Sequence, residues 1–236
     1  MALKIRRVAV RKVEDLSQHM KRIYVQGNDL SNFPLEYEGA HVKVVFPENG
    51  EKEPKLSFLT AKKSMRSYTV RAFDEVKKEM VLDFAVNDHQ GLASNWALKA
   101  KVGDRLGLAG PGDTKYTDYQ AAWHLIVADL TGLPAAAVSL EKLGKDAQGY
   151  AIIQVPNKND IQEIDAPLTI NIEWIVSPYQ KDNLLLNKVK RIVWLNESPA
   201  IFIACESSHM KDIKKFVKEQ PGYQKSLTYA SGYWKK

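Results

Sequence analysis

Cysteine is nearly absent. Among 236 residues the one example is Cys205, which excludes an intrachain disulfide and argues against a cysteine-based structural zinc site. Long apolar runs are also missing. No stretch approaches the roughly 18 residues of a membrane-spanning helix, and the N-terminus, MALKIRRVAVRKVEDL, has basic residues but no apolar core of a secretory signal. A cytoplasmic chain in a reducing compartment is the expectation. The five histidines, His19, His41, His89, His124 and His209, are scattered and show no metal-ligand spacing. There is no P-loop and no G-x-G-x-x-G. Neither Glu14/Asp15 nor Asp182 has a partner that would make an acid–base pair. No block of five like charges occurs, so a basic tail for nucleic acid is not indicated.

What is present is ordinary globular composition, 44% hydrophobic and 26% charged. A length of 236 residues suits one large domain or two small ones. The 34 basic residues exceed the 28 acidic ones, a net charge of +6 that mildly favours anionic ligands.

The first half reads as strands. Residues 5–13 and 21–26 alternate polar and apolar side chains, and 41–46, 67–73 and 80–86 are short β-branched or aromatic runs bounded by turn residues. A helix is expected over about 92–100 and a further strand within 101–110. The spacing predicts a small antiparallel barrel or sandwich. After Tyr119 strands alternate with helices: strands at 124–128, 150–155, 168–174, 200–205 and 226–230, helices at 133–143, 182–189 and 208–219. Such alternation predicts a parallel sheet with right-handed crossovers. The fold class is therefore β-barrel plus α/β, with domains 1–117 and 118–236 and a linker within 113–121.

Two local patterns carry chemistry. Arg66-Ser67-Tyr68-Thr69-Val70-Arg71 lies on a predicted strand, where alternation sets Arg66, Tyr68 and Val70 on one face and Ser67, Thr69 and Arg71 on the other. A guanidinium fork suits a pyrophosphate, and a tyrosine ring suits a flat heterocycle. Alone, this is also the pattern of an ordinary edge strand. Downstream, Asp83-Phe84-Ala85-Val86 ends a strand, a polar loop through His89 follows, and Gly91-Leu92-Ala93-Ser94-Asn95-Trp96 opens a helix. A helix start offers amide donors and a positive dipole end to an anion. Alone, this is also an ordinary strand–loop–helix connection with Ser94 as a cap.

Taken together, and with Gly39-Ala40-His41-Val42-Lys43, Gly103 to Gly112, Ala128-Asp129-Leu130-Thr131-Gly132-Leu133-Pro134-Ala135 and Gly232-Tyr233-Trp234-Lys235, the order and spacing resemble siderophore-interacting proteins. These are flavin reductases of the ferredoxin–NADP reductase superfamily. The resemblance implies an FAD-binding barrel, an NAD(P)H-binding-like α/β domain and reduction of a ferric siderophore to the ferrous state. It implies that Arg66, Ser67, Tyr68 and Thr69 hold FAD, that Asp83, Phe84, Ala85 and His89 border it, that Gly91, Ala93 and Ser94 bind its pyrophosphate, and that Trp96 supports that helix. Asp129, Thr131 and Glu206 fall in the electron-donor region. Lys43, Lys115 and Lys235 are expected to meet an anionic ferric siderophore beside the flavin. NAD(P)H or a ferredoxin is the implied electron donor.

The chain departs from the family pattern where Ala128 and Leu130 replace a glycine and a carboxylate, so slow use of NADPH is expected. A flavoenzyme acting on an organic acceptor is the alternative reading, and a basic nucleic-acid-binding module a distant one. Cys205, in an apolar run, is expected to be a buried inert thiol. A monomer without membrane insertion is expected.

Overall fold

The computed structural model describes residues 5–48, 50–86, 91–113, 118–178 and 182–235. The chain divides into two compact units, Met1–Thr114 and Lys115–Lys236. Among the described residues no helix is long and apolar enough to cross a membrane.

The first unit contains β1 (Ile5–Ser17), β2 (Met20–Gln26), β3 (His41–Val45), α1 (Phe58–Ala61), β4 (Met65–Thr69), β5 (Ala72–Asp74), β6 (Glu79–Ala85), α2 (Leu92–Lys99) and β7 (Arg105–Ala109). Its seven strands form one sheet in the order β4-β3-β7-β1-β2-β6-β5, and its neighbouring strands pair antiparallel. The sheet curls on itself. Tyr68 of β4, at one edge, meets Phe84 of β6, next to the other edge, with ring centroids 4.1 Å apart. The run 67–73, expected as one strand, is two. At Val70–Arg71 the backbone changes partner: the Val70 amide donates to Ala40 O and the Arg71 amide to Val81 O. This corner joins the β3 side of the sheet to the β6 side, which closes a barrel-like shape. Alternation on β6 buries Met80, Leu82 and Phe84 completely, and these join Val42, Val44, Phe46 and Leu108 in the core. The strand expected within 101–110 is confined to Arg105–Ala109, because Gly103, at φ +95°, makes a turn ahead of it.

The second unit contains β8 (Trp123–Asp129), α3 (Leu133–Glu141), β9 (Gly149–Val155), β10 (Ile170–Val176), α4 (Leu184–Val189), β11 (Pro199–Glu206), α5 (Ser207–Val217) and β12 (Thr228–Trp234). The sheet order is β10-β9-β8-β11-β12 and all pairings are parallel. Every residue of β8 and β11 is buried, as a central strand covered on both faces requires. Helix α3 is buried throughout its first eight residues, and its run of alanines lets it sit close to the sheet. Helix α5 is amphipathic: His209, Ile213 and Val217 are buried while Lys211 and Lys215 are exposed. Strand order reverses between β8 and β11, which makes the carboxyl ends of these two strands the topological switch point. The last strand runs to Trp234, four residues beyond the expected 226–230, because Gly232 and Trp234 pair with Cys205 and Glu206 of β11.

Candidate functional site

In the first unit the site is built on β4. Arg66 and Tyr68 lie on the face that covers the core, opposite Val44 and Val42 in the register with β3. The Tyr68 ring is half-buried and packs on Phe84. Phe84 in turn meets Trp96 of α2 at 5.8 Å, and Phe46 meets Trp96 at 5.3 Å and Phe84 at 6.4 Å. Four rings from β4, β6, α2 and the end of β3 thus form one tilted stack, a geometry favoured by the ring quadrupoles. Burial pushes the Tyr68 phenol far above its ordinary range, so it is neutral and serves as a flat platform with a hydroxyl.

Arg66 remains exposed. Its guanidinium donates to the Lys63 and Met65 carbonyls, the latter at 2.7 Å. Helix α2 begins at Gly91, which is exposed and supplies no side-chain cap, so the dipole end is not occupied by a carboxylate at its cap. Ala93 is nearly buried and Trp96 faces both the ring stack and a groove of about 910 Å³ shared with Lys99, Lys101 and Arg105. Motif spacing does not reveal that groove, since Glu48, Glu51, Lys52 and Glu53, which also line it, are surface charges of both signs. A charged fork, a ring platform and an uncapped helix start fit the phosphate, isoalloxazine and pyrophosphate chemistry of FAD.

Several expected contacts are corrected. Phe84 has no exposed surface; it supports Tyr68 from below, because the inward face of β6 is core. Asp83, on the other face of β6, is equally committed. Its carboxylate takes both arms of Arg22, Nε at 2.7 Å and NH2 at 2.8 Å, with Arg71 Nε at 3.9 Å. Arg22 stands directly across β2 in the register. The fork in this pair lifts the Arg22 guanidinium above its usual range. Thr69 is almost buried, at 8% exposure, while Ser67 is exposed and accepts from Lys43 Nζ at 2.6 Å. By alternation, the Lys43–Ser67 pair lies on the face of β3–β4 opposite Tyr68. Ala85 is half-buried at the end of β6. His89 and Lys115 lie outside the described residues.

Two distant motifs meet at the start of β3. The Gly112 amide donates to His41 O at 2.9 Å, and the His41 imidazole occupies the space a Cβ at 112 would need. A side chain there would require the imidazole to turn away.

In the second unit the residues assigned to an electron donor sit at the switch point, but facing inward. Asp129 is 1% exposed and Glu206 2%. Asp129 Oδ1 accepts from Thr131 N at 2.9 Å, Thr131 Oγ1 at 2.6 Å and Gly132 N at 3.2 Å; its Oδ2 accepts from Glu206 N at 2.9 Å and Trp234 Nε1 at 2.7 Å. Burial pushes the Asp129 carboxyl up, and bonds from Thr131, Trp234 and Gly132 pull it down. Glu206 Oε2 caps α5, accepting from Ser208 N at 2.6 Å, His209 N at 3.1 Å and the Ser208 hydroxyl. Both carboxylates are thus taken up by the protein's own amides and hydroxyls, because helix starts at buried strand ends require acceptors. Ala128 is wholly buried between β9 and β11, so it presents no bulk to a nucleotide. Leu130 is buried too. Burial, with the charges of Asp129 and Glu206, pushes the Cys205 thiol far above its ordinary range. Lys235 is exposed directly after Trp234. Among the described residues no cluster of three or more His, Cys, Asp or Glu side chains could hold a metal ion.

Residues 9–115 match the family model of the siderophore-interacting FAD-binding domain, and residues 121–236 match that of the siderophore-interacting protein. The chain belongs to the siderophore-interacting protein family. It is 30% identical to the ferric vibriobactin reductase ViuB of Vibrio cholerae over 94% of this chain and 86% of that one. It is 30% identical to the NADPH-dependent ferric-chelate reductase of Escherichia coli over 98% and 93%. A crystal structure of a siderophore utilization protein from T. fusca superimposes with a TM-score of 0.90 at 29% identity, covering 100% of this chain and 94% of that chain. The ferredoxin-NADP+ reductase of Plasmodium falciparum shares the fold alone, with a TM-score of 0.70 at 14% identity, covering 97% and 96%. The siderophore-interacting chain described here is therefore a flavoprotein of the ferredoxin–NADP reductase-like fold, with FAD as its cofactor.

Proposed function

We propose that this chain is an FAD-dependent ferric-siderophore reductase, which releases iron in the cytoplasm by converting Fe(III) in the chelate to Fe(II). The observation that carries the reading is the conjunction on β4. An exposed Arg66 and a ring platform, Tyr68 on Phe84 at 4.1 Å, share one strand, in a chain whose two halves match the FAD-binding and siderophore-interacting families. Arg66 binds phosphate, Tyr68 lies against the isoalloxazine, and the amides that follow Gly91, with Ser94, take the pyrophosphate. FAD, when bound, supplies the chemistry by accepting two electrons and passing them on singly. No protein ligand to iron is needed, since the siderophore already coordinates the metal. Lys43 and Lys235, both exposed, and Lys115 each add positive charge that favours an anionic chelate, and the field of an exposed ammonium group reaches about 8 Å at physiological salt. NAD(P)H or a ferredoxin-type protein provides the electrons, and the protein works as a monomer.

The test is anaerobic. The bound flavin is reduced by light with a sacrificial amine as electron donor, then mixed with a ferric catecholate siderophore in the presence of a ferrous chelator. Flavin reoxidation with stoichiometric ferrous complex is expected, two irons per flavin. Reoxidation by a quinone with no ferrous complex from the siderophore would overturn the reading in favour of an organic acceptor.

A further inference from the structure

Three adjacent parallel strands end on a single buried side chain. Asp129 closes β8, and its Oδ2 accepts both the Glu206 amide, at the end of β11, and the Trp234 indole Nε1, at the end of β12. The indole comes from two strands away in the order β8-β11-β12. A register shift makes this reach possible. Cys205 pairs with Gly232, but Glu206 pairs with Trp234, so Tyr233 is an extra residue on β12. A bulge of this kind re-aims the following side chain. The same turn of chain is tied a second time, since Ser207 Oγ donates to Trp234 O at 2.6 Å. Gly232 lies against Ser207, where any Cβ would collide with the hydroxyl. The next residue is Lys235, exposed and beyond the last pairing of the sheet.

An exposed lysine beyond the last pairing of a strand would ordinarily sample a wide volume. Here the residue before it is held twice, its carbonyl accepting from Ser207 Oγ and its indole donating to the Asp129 carboxylate, the stronger class. We propose that Asp129 is a positioning residue for the anionic ferric siderophore: through Trp234 it fixes the path of the last residues and so the place where the Lys235 ammonium meets the chelate. The proposal rests on the reading of Lys235 as a siderophore contact. It also accounts for a buried acid at the switch point that no redox step requires.

The test is a double-mutant cycle on the flavin-loaded protein, with binding of a ferric catecholate siderophore read by flavin absorbance. Trp234→Phe keeps the ring and removes the indole donor; Lys235→Ala removes the ammonium. Each single change should weaken binding about threefold at low salt, the scale of one exposed charge. The limiting rate of electron transfer at saturating siderophore and the flavin content should be unchanged. The double variant should be no weaker than Lys235→Ala alone, and both losses should vanish in high salt, a signature that general loosening of the fold would not give. Additive losses, a salt-independent loss, or wild-type binding by Trp234→Phe would each overturn the proposal. Wild-type binding by Lys235→Ala would overturn it as well, while ferrous release by the wild-type protein would leave the reductase reading standing. Should Trp234→Phe fail to fold, Ser207→Ala, which removes only the second tie, is expected to give the same non-additive pattern with Lys235→Ala, and additivity there would overturn the proposal.

Discussion

Helix α2 starts at Gly91 with no side-chain cap, whereas α3 and α5, in the other unit, start beneath Asp129 and Glu206, whose carboxylates already accept from Thr131, Gly132, Ser208 and His209 amides. All three helices follow a strand, and any such start offers donors to an anion. The difference is who supplies the anion. In the second unit the protein supplies its own, and Pro134 removes one further amide at the start of α3; in the first, the proposed reading gives that place to the phosphates of FAD.

The comparison can be broken at its strongest joint first. Phe84→Ala removes a fully buried ring and should destabilise the first unit by about 3–5 kcal/mol. Tyr68 would lose its support, so flavin content should fall with the urea midpoint; a variant that keeps full flavin while losing stability would separate the ring stack from the cofactor. Arg66→Ala should leave stability nearly unchanged, because its side chain is exposed. FAD should dissociate more readily on dilution by about 1.5–3 kcal/mol, the worth of charge-assisted phosphate bonds. Full flavin occupancy after dilution would show that the fork does not reach the phosphate.

A smaller effect belongs to the second unit. Burial lowers the His124 imidazole below its ordinary range. Folding then favours the neutral ring, so the stability it permits is complete above the unfolded histidine range and declines as pH falls from there toward the folded value. Unfolding takes up one proton in that window, a slope of at most about 1.4 kcal/mol per pH unit. Urea unfolding of His124→Gln followed across pH 7 to 5 should be flatter than wild type. The smallest effect expected is that of NADP+. With the amides before α3 and at the start of α5 already taken, calorimetric titration should show binding no tighter than about 1 mM, near −4 kcal/mol. Micromolar binding would mean that the second unit accepts a pyrophosphate elsewhere.

The positions of the ring platform and the fork were legible in the sequence, because alternation on a strand assigns faces whatever the partners. The roles of Asp83 and Phe84 were not. Both stand on β6, next to residues that suit a cofactor, yet one is opposite Arg22 and the other in the core, and register with β2 is a property of the pairing. Asp129 and Glu206 were likewise read as facing a donor, since a carboxylate at the end of a parallel strand has the same sequence signature whether it points out or in. The run 67–73 reads as one strand from its side chains alone; the exchange of partners at Val70–Arg71 follows from barrel closure.

The sequence by itself determined that the chain has an antiparallel half and a parallel half, that no disulfide joins them, and which residues could grip a flat anionic cofactor. These follow from side-chain periodicity, cysteine count and residue chemistry, all local properties. Tertiary structure alone decided that Tyr68 rests on Phe84, that Lys43 is held by Ser67 on the opposite face, and that Asp129 ties three strand ends and the Trp234 indole together. Those outcomes depend on register, on a bulge at Tyr233 and on which groups burial forces to find partners. A buried carboxylate must be satisfied by donors that come from elsewhere in the chain, here as many as 105 residues away.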